Sequence, residues 1–159
     1  MAIPSLNKRL LGLRSKRMGE SWENLFFSTA ISQRIAITRV PDGCKQLGPK
    51  RIIRVKTPFD WIVTYKGRTA LIDTKSTDAE TFPNSQIDES QMKHLLSQEI
   101  GGAIAGYIIW FRTLNQVVFV PASSLYQRSK VRGSIDPAHV DVRLLGSALN
   151  LNLVALFDA

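Results

Sequence analysis

The sequence predicts one α/β domain in which a mixed β-sheet is flanked by helices. Three patterns predict this fold: apolar residues at helical spacing over 20–33, two short strands on either side of Lys66-Gly67, and an apolar run over Ala103–Phe111. Apolar residues three and four apart form one face of a helix, whereas a short continuous apolar run is typical of a buried strand. A chain of 159 residues is long enough for one such domain with its own core.

The elements are expected in the order helix, strand, hairpin, helix and a second strand pair. On the first helix, Trp22 and Phe26 belong to the apolar face. Asp88 is suited to cap the second helix and Gly101-Gly102 to end it. The predicted helices span 20–33 and 88–98, and the predicted strands span 35–40, 59–65, 69–75, 103–111 and 116–120.

The last part of the chain has a less regular pattern. Ser123 or Ser124 can open a short helix that ends near Tyr126. Over the final thirty residues the pattern allows a helix at 137–145 and a strand at 151–157. Both of these are expectations for the structure to test.

Positive charge is concentrated in two blocks that contain no acid. Lys and Arg exceed Asp and Glu by 21 to 13. One block is a basic N-terminal arm over 1–18; the other is 43–59, of which Gly43–Arg51 is a polar connection with Gly and Pro that is expected to be exposed. Such blocks favour bound nucleic acid over a surface that is merely well solvated. The expected DNA contacts are Arg14, Lys16, Arg17, Lys45, Lys50, Arg51, Arg54 and Lys56.

Several functional classes are disfavoured by composition. The longest apolar stretch is far shorter than a bilayer span, and the first residues lack the apolar core of a signal peptide. The single cysteine, Cys44, excludes an internal disulfide and a cysteine-cluster metal site. We therefore expect a cytosolic protein without a membrane anchor or a small-molecule cofactor.

Two carboxylates are predicted to converge on a divalent cation. Asp60 opens one strand of the hairpin and Asp73-Thr74-Lys75 closes the other. Side chains at i and i+2 leave a strand on the same face, so Asp73 and Lys75 project together. Mg²⁺ takes one or two carboxylates plus substrate phosphate, the Thr74 carbonyl can add a ligand, and Mn²⁺ is an expected substitute. Lys75 would orient the attacking water or stabilise charge on phosphorus.

An acid-x-Lys triplet alone is very common and usually marks a half-exposed strand edge. With the upstream Asp60, the hairpin between and the apolar residues Ala70-Leu71-Ile72 before the triplet, a site and a strand edge are about equally supported. Two residues on the helices favour the site. Glu23 follows Trp22, the expected anchor of the first helix, and can reach the metal; Glu20, one turn earlier, is the competing helix acid. Gln91 on the second helix can hydrogen-bond Lys75 or a phosphate.

Taken together, these motifs resemble the RecU-type Holliday junction resolvases within the PD-(D/E)XK nuclease superfamily. The resemblance covers about Gly19–Leu125, and the order and spacing of its motifs are far more specific than any one of them. The motifs are Gly19-x-x-Trp22-Glu23, Pro58-Phe59-Asp60, Tyr65-Lys66-Gly67-Arg68, Ile72-Asp73-Thr74-Lys75, Phe82-Pro83, Gln91-Met92-Lys93-His94-Leu95, and Gly102 before the apolar strand.

The resemblance implies a restriction-endonuclease-like fold over 19–159 and a homodimer that binds four-way DNA junctions. Segment 43–54 occupies the place of the stalk that enters the junction centre in family members. Two departures, Asp73 where the family usually has Glu and the shorter stalk, bear more on junction selectivity than on nuclease chemistry. By motif match the catalytic set is Glu23, Asp60, Asp73 and Lys75 with Gln91 in support, and the metal ligands are Asp60, Asp73 and Glu23.

The leading hypothesis is therefore a Mg²⁺-dependent endodeoxyribonuclease that resolves four-way junctions by paired symmetric nicks, in the cytosol of a bacterium, an archaeon or a phage-infected host. A nearer alternative is a restriction or repair endonuclease of the same fold. A non-catalytic basic DNA-binding protein is the alternative from another class. It predicts salt-sensitive binding without metal-dependent cleavage.

Overall fold

The computed structural model describes residues 4–129, 133–139 and 141–158, without the side chains of 4–12, 15 and 129. The helices are α1 (Pro4–Ser32), α2 (Glu89–Ile100) and α3 (Ala122–Ser129), and 3₁₀ turns lie at Asn84–Gln86 and Val154–Phe157. The strands are β1 (Ala36–Arg39), β2 (Gly43–Gln46), β3 (Ile52–Val55), β4 (Trp61–Tyr65), β5 (Arg68–Thr77), β6 (Phe82–Pro83), β7 (Ile104–Phe111), β8 (Gln116–Pro121), β9 (Ser134–Ile135) and β10 (Arg143–Gly146).

A six-stranded mixed sheet forms the centre of the fold, in the order β1-β4-β5-β7-β8-β10. Neighbouring strands are antiparallel except for β5 and β7, which run parallel. A parallel pair needs a long crossover between its strands, and the segment that contains α2 supplies it. The predicted fold class, a mixed sheet flanked by helices, is confirmed.

Two apolar cores cover the two faces of this sheet. On one face α1 buries Trp22, Phe26 and Ala30, which are four residues apart and so lie on one side of the helix. On the other face α2 buries Met92 and Leu95 together with side chains of α3. Burying each large apolar side chain contributes about 1.5–3 kcal/mol. Because β5 is covered on both faces, its side chains are held in fixed positions.

The local signals at two boundaries act as predicted. Lys66 and Gly67 both have positive φ, 48° and 79°, which is the two-residue turn that joins β4 to β5. The Asp88 carboxylate accepts hydrogen bonds from the Ser90 and Gln91 amides at the start of α2, at 2.9 and 3.1 Å. Both features fix the elements that carry the candidate site.

The first helix is longer than predicted. It begins at Pro4, not near Glu20, so the described part of the predicted arm (4–18) is continuous with α1. Proline is tolerated in the first helical turn, and the Leu, Lys and Arg residues that follow are good helix formers. The prediction missed this half because its described side chains do not pack on the sheet; Leu13 is 58% exposed. No described helix is long and apolar enough to cross a membrane.

Segment 43–54 is a separate two-stranded hairpin, formed by β2 and β3, where the sequence had suggested only an exposed connection. Every strand residue of this hairpin is exposed, as expected for a protrusion. Its exposed side chains include Leu47, Ile52, Ile53 and Val55 as well as the basic residues. The segment is thus an exposed hairpin, and its role as a stalk stays a prediction.

Both expectations for the last thirty residues were wrong. Arg143–Gly146 is strand β10, since this stretch pairs with the free edge of β8. Before it, Asp136 accepts from the Ala138 amide and closes a turn where the helix was expected. Val154–Phe157 is a 3₁₀ turn. The side chain of Gln33, which lies 120 residues before Leu153 in the sequence, accepts from the Leu153 amide at 2.8 Å and donates to the Leu151 carbonyl at 2.5 Å, and so holds the residues that lead into this turn.

Candidate active site

Asp60 is fixed at the end of the sheet where β4 begins. Its amide donates to the Ile72 carbonyl at 3.0 Å, which continues the ladder between β4 and β5. Its Oδ2 accepts from both the amide and the hydroxyl of Thr74, at 2.9 and 3.1 Å. In a strand the amide and carbonyl of one residue face the same neighbour. The Thr74 carbonyl is therefore directed to the side on which Asp60 lies.

Asp73 is the most deeply buried acid that the structure describes, with none of its surface exposed. Lys75 Nζ lies 2.6 Å from its Oδ2. This ion pair compensates Oδ2, whereas Oδ1 is buried without a hydrogen-bond donor among the described residues. Burial raises the pKa of Asp73 to about 7, Lys75 opposes this shift, and the nearby Asp60 adds to it.

Lys75 projects beside Asp73 as predicted, and it also contacts β7. Its Nζ lies 5.9 Å from the centre of the Tyr107 ring, within the range of a cation–π interaction. Tyr107 pairs with Asp73 in the parallel register of β5 and β7. The Tyr107 ring is fully buried, and burial beside these acids raises the pKa of its hydroxyl, so it stays protonated. The Lys75 ammonium is thus oriented by a carboxylate on one side and an aromatic ring on the other.

Glu23 reaches the same end of the sheet from α1, but its carboxylate is paired with Arg39. Glu23 Oε2 lies 2.7 Å from Arg39 Nη2. Burial raises the pKa of Glu23, Arg39 lowers it, and the charges of Asp60 and Glu20 raise it further. Glu23 and Asp60 line one cleft of about 520 Å³. Glu20, the competing helix acid, is exposed.

Gln91 does not contact Lys75 in the structure. Its side-chain amide instead donates to the Thr57 carbonyl at 3.0 Å. Thr57 in turn bonds the Asp42 carboxylate through its amide, at 3.3 Å. Gln91 therefore fixes the segment that leads into Asp60 in place of the predicted bond to Lys75, and the predicted alternative, a bond to a phosphate, stays a prediction.

The predicted DNA contacts lie on the surface around this site. Two of them are held by acids: Arg54 Nε is 3.0 Å from Asp42, and Lys56 Nζ is 3.8 Å from Asp88. The first pair lies within the base of the hairpin, and the second joins the residue after β3 to the start of α2. The exposed residues are Arg14, Lys16 and Arg17 on α1, Lys45 on β2, Lys50 and Arg51 in the turn, Arg54 on β3, and Lys56 after it.

The Asp60 and Asp73 carboxylates have the chemistry of a cation-binding site. Lys75 compensates the Asp73 carboxylate at Oδ2, but Oδ1 is buried without a donor among the described residues, and a carboxylate oxygen of this kind fits a divalent cation. Asp60 and the Thr74 carbonyl lie beside Asp73. Among the described residues, no three Asp, Glu, His or Cys side chains are grouped closely enough to hold a metal. The predicted set of Glu23, Asp60 and Asp73 is therefore not assembled while Glu23 is bound to Arg39.

Three residues of this region were missed by sequence reasoning. Arg39 and Thr57 carry no motif, and their contacts depend on the placement of β1 and of the segment before Asp60. Tyr107 lies in an apolar run, where an aromatic residue is normally a core residue. Its position beside Lys75 follows from the parallel register of β5 and β7 alone.

Residues 34–144, more than half of the chain, match the model of the family described as Recombination protein U. Asp60, Asp73, Lys75 and Gln91 lie inside the matched range and Glu23 lies outside it.

Among solved structures, the chain is similar to Archaeoglobus fulgidus Hjc, a Holliday junction resolvase from an archaeal hyperthermophile. The TM-score is 0.50 and the identity 14%, over 86% of this chain and 98% of that one. At this identity the likeness concerns the fold alone. No curated protein matched.

Proposed function

The chain belongs to the Recombination protein U family of Holliday junction resolvases, and from this premise we propose that it is a divalent-metal-dependent endonuclease that cuts four-way DNA junctions by paired symmetric nicks. One observation carries the proposal. The buried Asp73 carboxylate is paired with Lys75 through Oδ2, while its Oδ1 has no donor among the described residues and a second acid, Asp60, lies nearby. A binding module has no need of this costly arrangement.

In this mechanism Asp60, Asp73 and the Thr74 carbonyl hold the cation, with Glu23 as the fourth ligand. A divalent ion bound there supplies positive charge that polarises the scissile phosphate and acidifies a water molecule. Mg²⁺ is the expected ion, and Mn²⁺ substitutes for it. Thr74 holds the Asp60 carboxylate in place through two hydrogen bonds.

Lys75 acts at the phosphate. Its ammonium, directed by Asp73 and the Tyr107 ring, stabilises the negative charge that develops on the phosphoryl oxygens. The water oxygen forms a bond to phosphorus and the bond from phosphorus to the 3′ oxygen breaks. The 3′ oxygen takes up a proton, and the products are a 3′ hydroxyl and a 5′ phosphate.

Paired nicks imply two copies of the chain. Two cuts related by two-fold symmetry need two active sites held in an isologous dimer. The exposed basic residues of β2, β3 and α1 would then contact the DNA arms, and the hairpin would lie near the junction centre. We place this activity in the cytosol of a bacterium, an archaeon or a phage-infected host, where recombining DNA is found.

The proposal is tested by cleavage of a labelled four-way junction and of a linear duplex with the same arm sequences, with Mg²⁺ or with EDTA. The variant Asp73→Asn removes the buried charge, and Asp158→Asn makes the same change at an exposed position as the control. We expect Mg²⁺-dependent cutting of the junction by the wild type and by Asp158→Asn, and none by Asp73→Asn.

Each other outcome selects an alternative. Equal cutting of junction and duplex would indicate a restriction or repair endonuclease of the same fold. Tight, salt-sensitive binding without cleavage in Mg²⁺ or Mn²⁺ would indicate the non-catalytic DNA-binding protein. Full activity of Asp73→Asn would remove this site from the mechanism.

A further inference from the structure

Arg39 is an exposed cation that covers an acid of the proposed site. It lies at the end of the edge strand β1, opposite Trp61 in the register with β4. Its guanidinium contacts Glu23 at 2.7 Å and lies 5.7 Å from the centre of the Trp61 ring. The Arg39 side chain is 61% exposed, whereas Glu23 is 28% exposed. A ligand from solution can therefore reach the Arg39 guanidinium of this ion pair more easily than the Glu23 carboxylate.

The cleft that contains this pair leads to Asp60. It is lined by three acids, Glu23, Asp42 and Asp60, and by two arginines, Arg39 and Arg54. Both arginines are bound to acids, since Arg54 Nε lies 3.0 Å from Asp42. A phosphate that approaches Asp60 through the cleft thus meets guanidinium groups whose present partners are carboxylates. Arginine binds phosphate with two parallel hydrogen bonds, which a single exposed ion pair does not match.

We infer that Arg39 exchanges partners when DNA binds: it covers Glu23 in the free protein and contacts a DNA phosphate in the complex, which leaves Glu23 to join Asp60 and Asp73 at the cation. This inference rests on the proposed function and adds a role for a residue that no motif contains. It accounts for the absence, among the described residues, of a group of three acids that could hold a metal. The metal site is completed only when substrate is present.

The proposed exchange predicts that one substitution, Arg39→Gln, strengthens Mn²⁺ binding and weakens DNA binding. Arg39→Gln releases Glu23, so Mn²⁺ binding without DNA should become tighter by about two- to fivefold, the strength of an exposed ion pair. The same variant lacks a phosphate contact, so junction binding in Ca²⁺ should weaken and the slope of log K against log salt should fall by about one. A purely structural arginine would weaken both.

The experiment measures Mn²⁺ affinity by electron paramagnetic resonance on the full chain without DNA, and junction affinity at several salt concentrations. Arg34→Gln is the matched control, because Arg34 is exposed and its substitution changes the charge equally. The single variant Glu23→Gln and the double variant Glu23→Gln/Arg39→Gln complete a double-mutant cycle. We expect the gain in Mn²⁺ affinity for Arg39→Gln alone, and its loss in the double variant.

The inference is overturned if Arg39→Gln and Arg34→Gln bind Mn²⁺ equally, if the gain persists without Glu23, or if the salt slope is unchanged. These results leave the proposed function intact as long as the wild type cuts junctions with Mg²⁺. If the wild type binds no Mn²⁺ and cuts no junction, the proposed function fails together with the inference.

Discussion

The sheet end that holds Asp60 and Asp73 and the β2–β3 hairpin are built in opposite ways. β5 pairs with strands on both edges and is covered by helices on both faces, so Asp73 is fully buried. β2 and β3 pair only with each other, and Ile52 and Val55 are 70% and 44% exposed. An isolated two-stranded hairpin is only marginally stable in water.

This difference in packing indicates which region is suited to hydrolysis and which to binding a large substrate. Hydrolysis needs groups held within fractions of an ångström, which only close packing on every side provides. Binding to a large substrate needs exposed charge and apolar surface that remain free for the partner. The four predictions that follow test whether the two regions are as independent as their construction suggests.

The largest effect is expected at the sheet end. In Asp60→Asn the amide oxygen can still accept from Thr74, so the fold is retained, but the negative charge is lost. Cleavage of the junction should fall about a thousandfold or more, as for removal of a preorganised charge in other active sites, while junction binding stays within about twofold. A gel assay of cleavage rate beside an anisotropy titration checks both. Equal losses in rate and affinity would show that the two regions are not independent.

The same substitution in the two regions should have very different effects on stability. At Gly106 in β7 an added Cβ would lie 2.2 Å from the Val120 carbonyl oxygen and 2.9 Å from the Phe119 ring. At Gly43 in β2 the nearest atom would be 3.9 Å away.

We expect Gly106→Ala to lower the free energy of unfolding by about 3 kcal/mol or more through overpacking, and Gly43→Ala to change it by less than about 0.5 kcal/mol. Urea unfolding of the two variants measures this directly. Similar midpoints for both would mean that β7 is packed no more closely than the hairpin.

The pH dependence of stability should also trace to the sheet end. The ordinary pKa of Asp73 is 3.8, and burial raises it to about 7 in the fold. Between these values the folded protein holds a proton that the unfolded chain has released. The free energy of unfolding therefore falls as pH rises from about 4 to 7, and levels off above 7.

Asp73→Asn cannot ionise, so this fall should disappear from the variant. Melting temperatures of both proteins in EDTA, taken from pH 4 to 8, give the difference. Melting curves of the two proteins that stay parallel over the whole pH range would contradict the raised pKa of Asp73.

The smallest effect on stability is expected in the hairpin. Ile52 is 70% exposed, so Ile52→Ser removes little buried surface and should change the free energy of unfolding by less than about 0.5 kcal/mol. Ile72→Ser, at a fully buried position of β5, should cost about 3 kcal/mol or more. Thermal melts compare the two. A large loss in Ile52→Ser would show that the hairpin packs against part of the domain.

The sequence predicted the sheet end well because its geometry is local. The Lys66-Gly67 turn sets the register of β4 and β5, and that register places Asp60 beside Thr74 and Asp73. Alternation along β5 then places Lys75 on the face of Asp73. No contact between distant segments is needed for this part of the site.

The remaining features depend on distant contacts. The pairing of Glu23 with Arg39 requires α1 and β1 to be docked against β4. The 3₁₀ turn over Val154–Phe157 depends on Gln33, which lies 120 residues before Leu153 in the chain. Periodicity carries no information on such pairs, so the sequence alone predicted a strand there. The extent of α1 was missed for another reason, since none of the side chains that the structure describes in its first half is buried.

The most direct test of the proposed activity is to map the cut positions on all four strands of a labelled junction that cannot branch-migrate, with Mg²⁺ as the only divalent ion. A dimeric resolvase predicts two nicks in opposite strands, at equal distances from the junction centre, that appear together and leave ends that ligate directly. Nicks at unrelated positions, or equally many in the arms as near the centre, would contradict it.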